Sequence, residues 1–154
     1  MKQTESKPQA YIADLDGTIN DNCYHYHYGQ DGEMDLDNFE VMEVLKNLSI
    51  GAEIFIVTGR SDKYRILTEY WLKKFDVPYH SLKMKPDGYK GCGIEWKAGV
   101  FKTISNEYEV MGIFEDRLDH AIAWRKLGYT VFDVGGHMFN FMGWKRKALN
   151  FIFR

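Results

Sequence analysis

Tyr11-Ile12-Ala13-Asp14-Leu15-Asp16-Gly17-Thr18 sets three apolar or aromatic residues directly before two carboxylates, a glycine and a hydroxyl. A short apolar run stopped by acids and a glycine reads as a buried strand ending in a tight turn. Two acids one residue apart repel each other when both ionise in a dry site, and a cation shared with a third acid relieves that cost. Carboxylate oxygens suit a hard ion such as Mg2+, which keeps several waters and is often shared with substrate phosphate. Gly17 lets the backbone turn sharply and offer its N–H groups to an anion. An Asp-Gly pair alone is also an ordinary turn signal, so the rest of the chain has to separate the two readings.

Working outward, the stretch from Asn20 to Asp35 is aromatic, polar and rich in Gly and Asp, and reads as a long loop or small hairpin. A helix follows, with Asp37 as cap, Glu40 as its reciprocal partner, and Val41, Val44, Leu45 and Leu48 at helical spacing. Ala52 to Val57 reads as a strand stopped by Thr58-Gly59-Arg60, and Ile66, Leu67, Tyr70, Trp71 and Phe75 form the apolar stripe of the next helix. Tyr79 to Met84 is a shorter strand, and Asp87 to Gly93 a glycine-rich loop. Ile94 to Ile104 is a helix broken or bent near Gly99, and Glu109 to Phe114 a strand running into Glu115-Asp116. Leu118, Ala121 and Ile122 mark a further helix with Gly128 at its left-handed cap, and Tyr129 to Val134 is the last strand. Strands alternating with helices indicate α/β layering around a mainly parallel sheet. Acids and hydroxyls fall where three strands end, and in such sheets the strand ends share one crevice.

The chain has 154 residues, a formal charge of -2, 45% hydrophobic and 27% charged residues. That composition describes a single soluble domain over residues 1–154, with a core near 10–134 and an aromatic, basic tail over 135–154. The charge excludes a histone-like polycation but not a local basic patch. Cys23 and Cys92 cannot build a disulfide framework, so a reducing, cytoplasmic setting is expected, with one bridge left open. The leader lacks the apolar run of a signal peptide, and no stretch approaches the ~20 apolar residues needed to cross a bilayer.

Asp14-Leu15-Asp16-Gly17-Thr18 resembles the first motif of the haloacid dehalogenase (HAD) superfamily, Ile56-Val57-Thr58-Gly59-Arg60 its second, and Ile113-Phe114-Glu115-Asp116-Arg117 its fourth. Within that superfamily, Tyr64-Arg65, Trp71-Leu72, Lys97 to Ile104 and Trp124-Arg125-Lys126-Leu127-Gly128 are similar to the phosphatase domain of phage polynucleotide kinase–phosphatase enzymes. The resemblance implies a three-layer Rossmann-like fold, capless or with a very small cap. It also implies Mg2+-dependent phosphomonoester hydrolysis through an aspartyl-phosphate. Asp14 is then the nucleophile and Asp16 the general acid and base. The side chains of Asp14 and Asp116, with the backbone carbonyl of Asp16, hold the metal.

Thr58 matches the hydroxyl that bonds a phosphoryl oxygen, against the plainer reading of a helix cap. Arg60 either reaches substrate phosphate or braces the motif loops. The family also requires a lysine beside the nucleophile, for which Lys97 and Lys85 compete, Lys85 doubling as a substrate contact. Glu115 or Asp119 orders a metal water or supports a neighbouring basic residue, while His120 either reaches the same rim or is a surface histidine at the start of a helix. Tyr26, with Tyr24 and Tyr28, offers an aromatic flap to stack on a base; Cys23, His25 and His27 are too few for a structural zinc. No Walker lysine motif is present, so the resemblance implies the phosphatase part without the kinase.

The implied partner is a phosphorylated nucleic-acid 3′ end. The alternatives are a free nucleotide, or a catalytically silent domain that binds phosphate or protein. The aromatic tail suits contact between subunits in a homo-oligomer.

Overall fold

The computed structural model of the chain describes residues 6–20 and 39–135. Its centre is a five-stranded parallel sheet of β1 (Gln9–Ala13), β2 (Glu53–Ser61), β3 (Ser81–Lys85), β4 (Glu109–Glu115) and β5 (Val131–Asp133), in the order β3-β2-β1-β4-β5. Helices α1 (Phe39–Leu48), α2 (Arg65–Lys74), α3 (Gly93–Glu107) and α4 (Leu118–Lys126) connect the strands, and a single 3-10 turn, Asp62–Tyr64, precedes α2.

Strand alternation sorts the core into two layers. Ala13, Ile54 and Ile56 face one side, where they pack with Met42 and Leu45 of α1 and Trp71 and Leu72 of α2. Ala10, Ile12, Phe55 and Val57 face the other, against Phe101 and Ile104 of α3 and Trp124 of α4. Helices thus cover both faces, as a buried parallel sheet requires. The first crossovers run outward from β1 through β2 to β3. The chain then returns past β1 to lay down β4 and β5. That reversal leaves a crevice beyond the carboxyl ends of β1 and β4, where doubly wound sheets bind ligands. Only the 3-10 turn, α2, β3 and α3 lie between β2 and β4, with no cap domain among these described residues.

Several local expectations change. The α2 stripe is rotated: Ile66, Leu67 and Tyr70 are exposed, and Thr68, Trp71 and Leu72 are the buried residues. Only three residues, Asp62–Tyr64, separate the helix from β2, and that short connection sets which face meets the sheet. Val44, Leu118 and Ile122 are likewise exposed, while Ala121 is buried as expected and Met42 and Trp124 join it in the core. Helix α3 runs unbroken through Gly99, β2 extends through Thr58-Gly59-Arg60 to Ser61, β3 begins at Ser81 and β5 at Val131. Asp37, Cys23, Tyr24, His25, Tyr26, His27, Tyr28 and the tail from 136 onward lie outside the described residues.

Candidate active site

Asp14 sits one residue past β1, its N–H still donating to the Phe114 carbonyl at 3.0 Å. The chain then tightens: the N–H groups of Thr18, Ile19 and Asn20 all donate to the Leu15 carbonyl, at 3.2, 3.0 and 3.2 Å. Gly17 turns here with φ of +87°, and a Cβ on it would overlap Asp116 Oδ2, so glycine serves both backbone and space. Asn20 Oδ1 accepts the Gly17 N–H at 3.1 Å, and Thr18 Oγ1 donates to Asp116 Oδ1 at 3.1 Å.

Glu115 closes β4 and Asp116 follows it, so the β1 and β4 ends bring Asp14, Glu115 and Asp116 together, one oxygen of each lying within 4.8 Å of the others. All three are buried. Lys97 enters from the second turn of α3; its Nζ is 2.9 Å from Asp14 Oδ1 and 3.6 Å from Glu115 Oε2. Burial works against the lysine's charge, but the Asp14 and Glu115 carboxylates outweigh it and hold its pKa above the ordinary range.

The three acids are not equivalent. Burial pushes Asp14 up to about 6, with Lys97 pulling the other way and Glu115 adding to the rise. Burial, then the neighbouring Asp14 and Glu115 charges, push Asp116 up to about 8. Burial also opposes ionisation of Glu115, but Lys97, then the bonds from His120 and Trp124, overcome it and hold that carboxyl well below the usual range. Glu115 is therefore neutralised by protein donors, while Asp14 and Asp116 carry charge that the fold leaves under-compensated. That donor set fits a hard divalent cation at Asp14 and Asp116.

Asp16 faces a different set. Arg60 binds its carboxylate through Nη2 on Oδ1 and through Nε on Oδ2 at 3.3 Å. Thr58 Oγ1 donates to Asp16 Oδ2 at 3.4 Å, and Asn20 Nδ2 to Oδ1 at 3.4 Å. Arg60 also donates from Nη1 to Thr68 Oγ1 at 3.2 Å, which fixes it to α2. Arg60 thus bridges the Asp16 turn and α2. Thr58 caps no helix, since Ser61 accepts the capping N–H of Lys63; its oxygen accepts the Arg60 N–H at 3.1 Å.

Of the competing lysines, Lys97 is the one on Asp14. Lys85 is half-buried at the end of β3, opposite Ser61. Both Asp119 oxygens take Arg117, at 3.1 and 2.7 Å, so this acid supports a basic neighbour at the rim. The surface reading of His120 is overturned: its side chain is 12% exposed and its Nδ1 lies 3.3 Å from Glu115 Oε2. Sequence reasoning missed Thr18, Asn20 and Thr68, small polar residues whose bonding only the turn and helix geometry reveals.

The sequence model of the polynucleotide kinase PNKP phosphatase domain matches residues 8–139. The chain belongs to that family. As a HAD-type phosphatase domain, it carries the family's acidic cluster at Asp14, Glu115 and Asp116. A chain in the structure of the Pnkp1/Rnl/Hen1 RNA repair complex is 30% identical with a TM-score of 0.77, covering 88% of this chain and 45% of that one. A chain in another structure of the Pnkp1/Rnl/Hen1 complex is 29% identical with a TM-score of 0.74, covering 88% and 50%. This phosphatase domain therefore spans about half the length of those relatives. No curated protein matches the chain. Among the described residues, no helix is long and apolar enough to cross a membrane.

Proposed function

We propose that this domain hydrolyses phosphomonoesters with Mg2+, by way of an aspartyl-phosphate on Asp14, and that its substrate is a 3′-phosphate at a nucleic-acid end. The observation that carries the reaction is the buried Lys97–Asp14 contact of 2.9 Å beside Asp116.

A carboxylate oxygen of Asp14 attacks phosphorus in line, and the ester oxygen leaves with a proton from the Asp16 carboxyl. Asp16, now ionised, takes a proton from a water, whose oxygen displaces Asp14 from phosphorus. Inorganic phosphate departs and both aspartates return to their starting states. Lys97 balances the negative charge shared by Asp14 and the phosphoryl group. The Thr58 hydroxyl bonds a phosphoryl oxygen, and Arg60 fixes the direction of the Asp16 carboxyl from two nitrogens. The carboxylates of Asp14 and Asp116 and the backbone carbonyl of Asp16 would hold Mg2+. The ion supplies neutralisation of phosphate charge and orientation of the electrophile.

The substrate reading is supported by family membership and by the lack of a cap domain between β2 and β4. With no cap domain between β2 and β4, a long chain can lie outside while its terminal phosphate enters. Lys83, Lys85 and Lys90 then meet adjacent phosphates, with Tyr26 offered to the terminal base. The resemblance to a chain from an RNA repair complex points the same way. The test is kcat/KM at fixed salt for a 3′-phosphorylated oligonucleotide, a 3′-mononucleotide, a 5′-mononucleotide and a sugar phosphate. A preference for the oligonucleotide is expected; equal use of the mononucleotide, or preference for the sugar phosphate, rejects the nucleic-acid end. Asp14→Asn should abolish turnover in a folded protein, and wild type inert on the whole panel with Mg2+ rejects the phosphatase.

A further inference from the structure

Glu115 is a fully buried carboxylate on which four protein donors converge. Its Oε1 accepts the Arg117 N–H at 3.3 Å; its Oε2 meets Trp124 Nε1 at 3.0 Å, His120 Nδ1 at 3.3 Å and Lys97 Nζ at 3.6 Å. Trp124 and His120 stand one helical turn apart on α4, with ring centroids 5.7 Å apart. Trp124 is completely buried, and its ring meets Phe101 edge-on at 4.7 Å. Phe101 lies one turn beyond Lys97 on α3, so the same indole that binds the acid also packs on the helix that carries the lysine.

Lys97 stands between two carboxylates and sits closer to Asp14, at 2.9 Å, than to Glu115, at 3.6 Å. The indole N–H helps set that asymmetry, because it occupies Glu115 Oε2 with a neutral donor. Without it, a buried lone pair loses its shortest hydrogen bond, and the donors left beside it are His120 and the Lys97 ammonium. The ammonium is then drawn toward Glu115 and away from Asp14. We infer that Trp124, aided by His120, is a positioning residue for the reaction, fixing Glu115 so that Lys97 stays on Asp14. The inference rests on the phosphatase reading above and adds to it a residue outside the reacting groups.

The test is Trp124→Phe, which keeps an aromatic ring against Phe101 and removes the N–H. It is assayed with Mg2+ and an activated aryl phosphate, whose good leaving group keeps a weakened enzyme measurable, and Mg2+ affinity is read by calorimetry with the metal alone. The expected result is a fall in kcat of about 10- to 100-fold, with KM and the Mg2+ Kd within about three-fold of wild type. In a Lys97→Ala background the same change should cost under about two-fold, because both act through one contact. The inference is overturned if kcat of Trp124→Phe stays within two-fold of wild type. It is equally overturned if Mg2+ affinity falls along with kcat, or if the full loss persists without Lys97. Should Trp124→Phe fail to fold by circular dichroism, His120→Phe carries the same measurements and the same outcomes. Wild type that is inactive on the aryl phosphate defeats the phosphatase reading instead, so the two failures are distinct.

Discussion

Lys97 Nζ lies 2.9 Å from Asp14 Oδ1 although the two residues come from elements on different layers, and both side chains are buried. The pair joins α3 to the end of β1 at the point where the strand order reverses. Lys97→Ala should lower kcat about 100- to 1000-fold, the range seen when one preorganised electrostatic group is lost from an active site. It should also destabilise the fold by about 3–5 kcal/mol, since Asp14 and Glu115 are left buried without their cation. Lys85→Ala should leave stability within about 0.5 kcal/mol and kcat within a few-fold, raising KM for an oligonucleotide. Steady-state kinetics and urea unfolding on both variants check this; equal losses of kcat would reject the assignment of the lysine.

Folding stability should fall with rising pH in metal-free protein. Asp14 and Asp116 are raised from 3.8 to about 6 and about 8 in the folded state. Above pH 5.5 the unfolded chain has released these protons while the folded chain retains some, so each rise in pH favours unfolding until about pH 8. Glu115, lowered from 4.5, is ionised in both states throughout that window and adds no slope. Urea unfolding in EDTA from pH 5.5 to 8.5 should show the decline, Mg2+ should reduce it, and Asp116→Asn should flatten it. Stability in EDTA that is level or rising for wild type refutes the charge imbalance.

Thr18 donates to Asp116 from a fully buried position, at 3.1 Å. Thr18→Val keeps the shape and removes the donor, which should cost about 1 kcal/mol of stability. The freed carboxylate loses its orientation, and Mg2+ affinity should drop about three- to ten-fold by calorimetry. Unchanged affinity would show that Asp116 needs no such support.

Arg60 reaches Asp16 through two nitrogens and Thr68 through a third. A lysine provides one point charge in place of this planar fork. Arg60→Lys should therefore reduce kcat about 10-fold or more while KM changes little, and a KM effect alone would instead place Arg60 on substrate.

The rotated face of α2 gives a stability test free of catalysis. Trp71 is 3% exposed and Tyr70 68% exposed. Trp71→Ala should cost about 3–5 kcal/mol, whereas Tyr70→Ser should stay within about 0.5 kcal/mol. Urea unfolding decides it; similar losses at both positions would restore the stripe expected from spacing.

What the sequence determined by itself was local: an apolar run stopped by Asp14-Leu15-Asp16-Gly17-Thr18, a second stopped by Thr58-Gly59-Arg60, and a third by Glu115-Asp116. Strand alternation and glycine turns are short-range effects of backbone sterics and apolar burial, so the parallel α/β class and the meeting of three strand ends were readable from them. Helix faces were less readable, because spacing alone fits Ile66 and Tyr70 to a core as well as Thr68 and Trp71. The tight connection from β2 to α2 chooses between them. The tertiary structure alone decided that Lys97 rather than Lys85 meets Asp14, that Arg60 binds Asp16, and that His120 and Trp124 converge on Glu115. The first two are contacts between residues far apart in the chain, the last two depend on how α4 turns back over the end of β4, and the energy of each depends on burial and distance in the folded state. Neither quantity exists until the sheet has closed and the helices have packed on both of its faces.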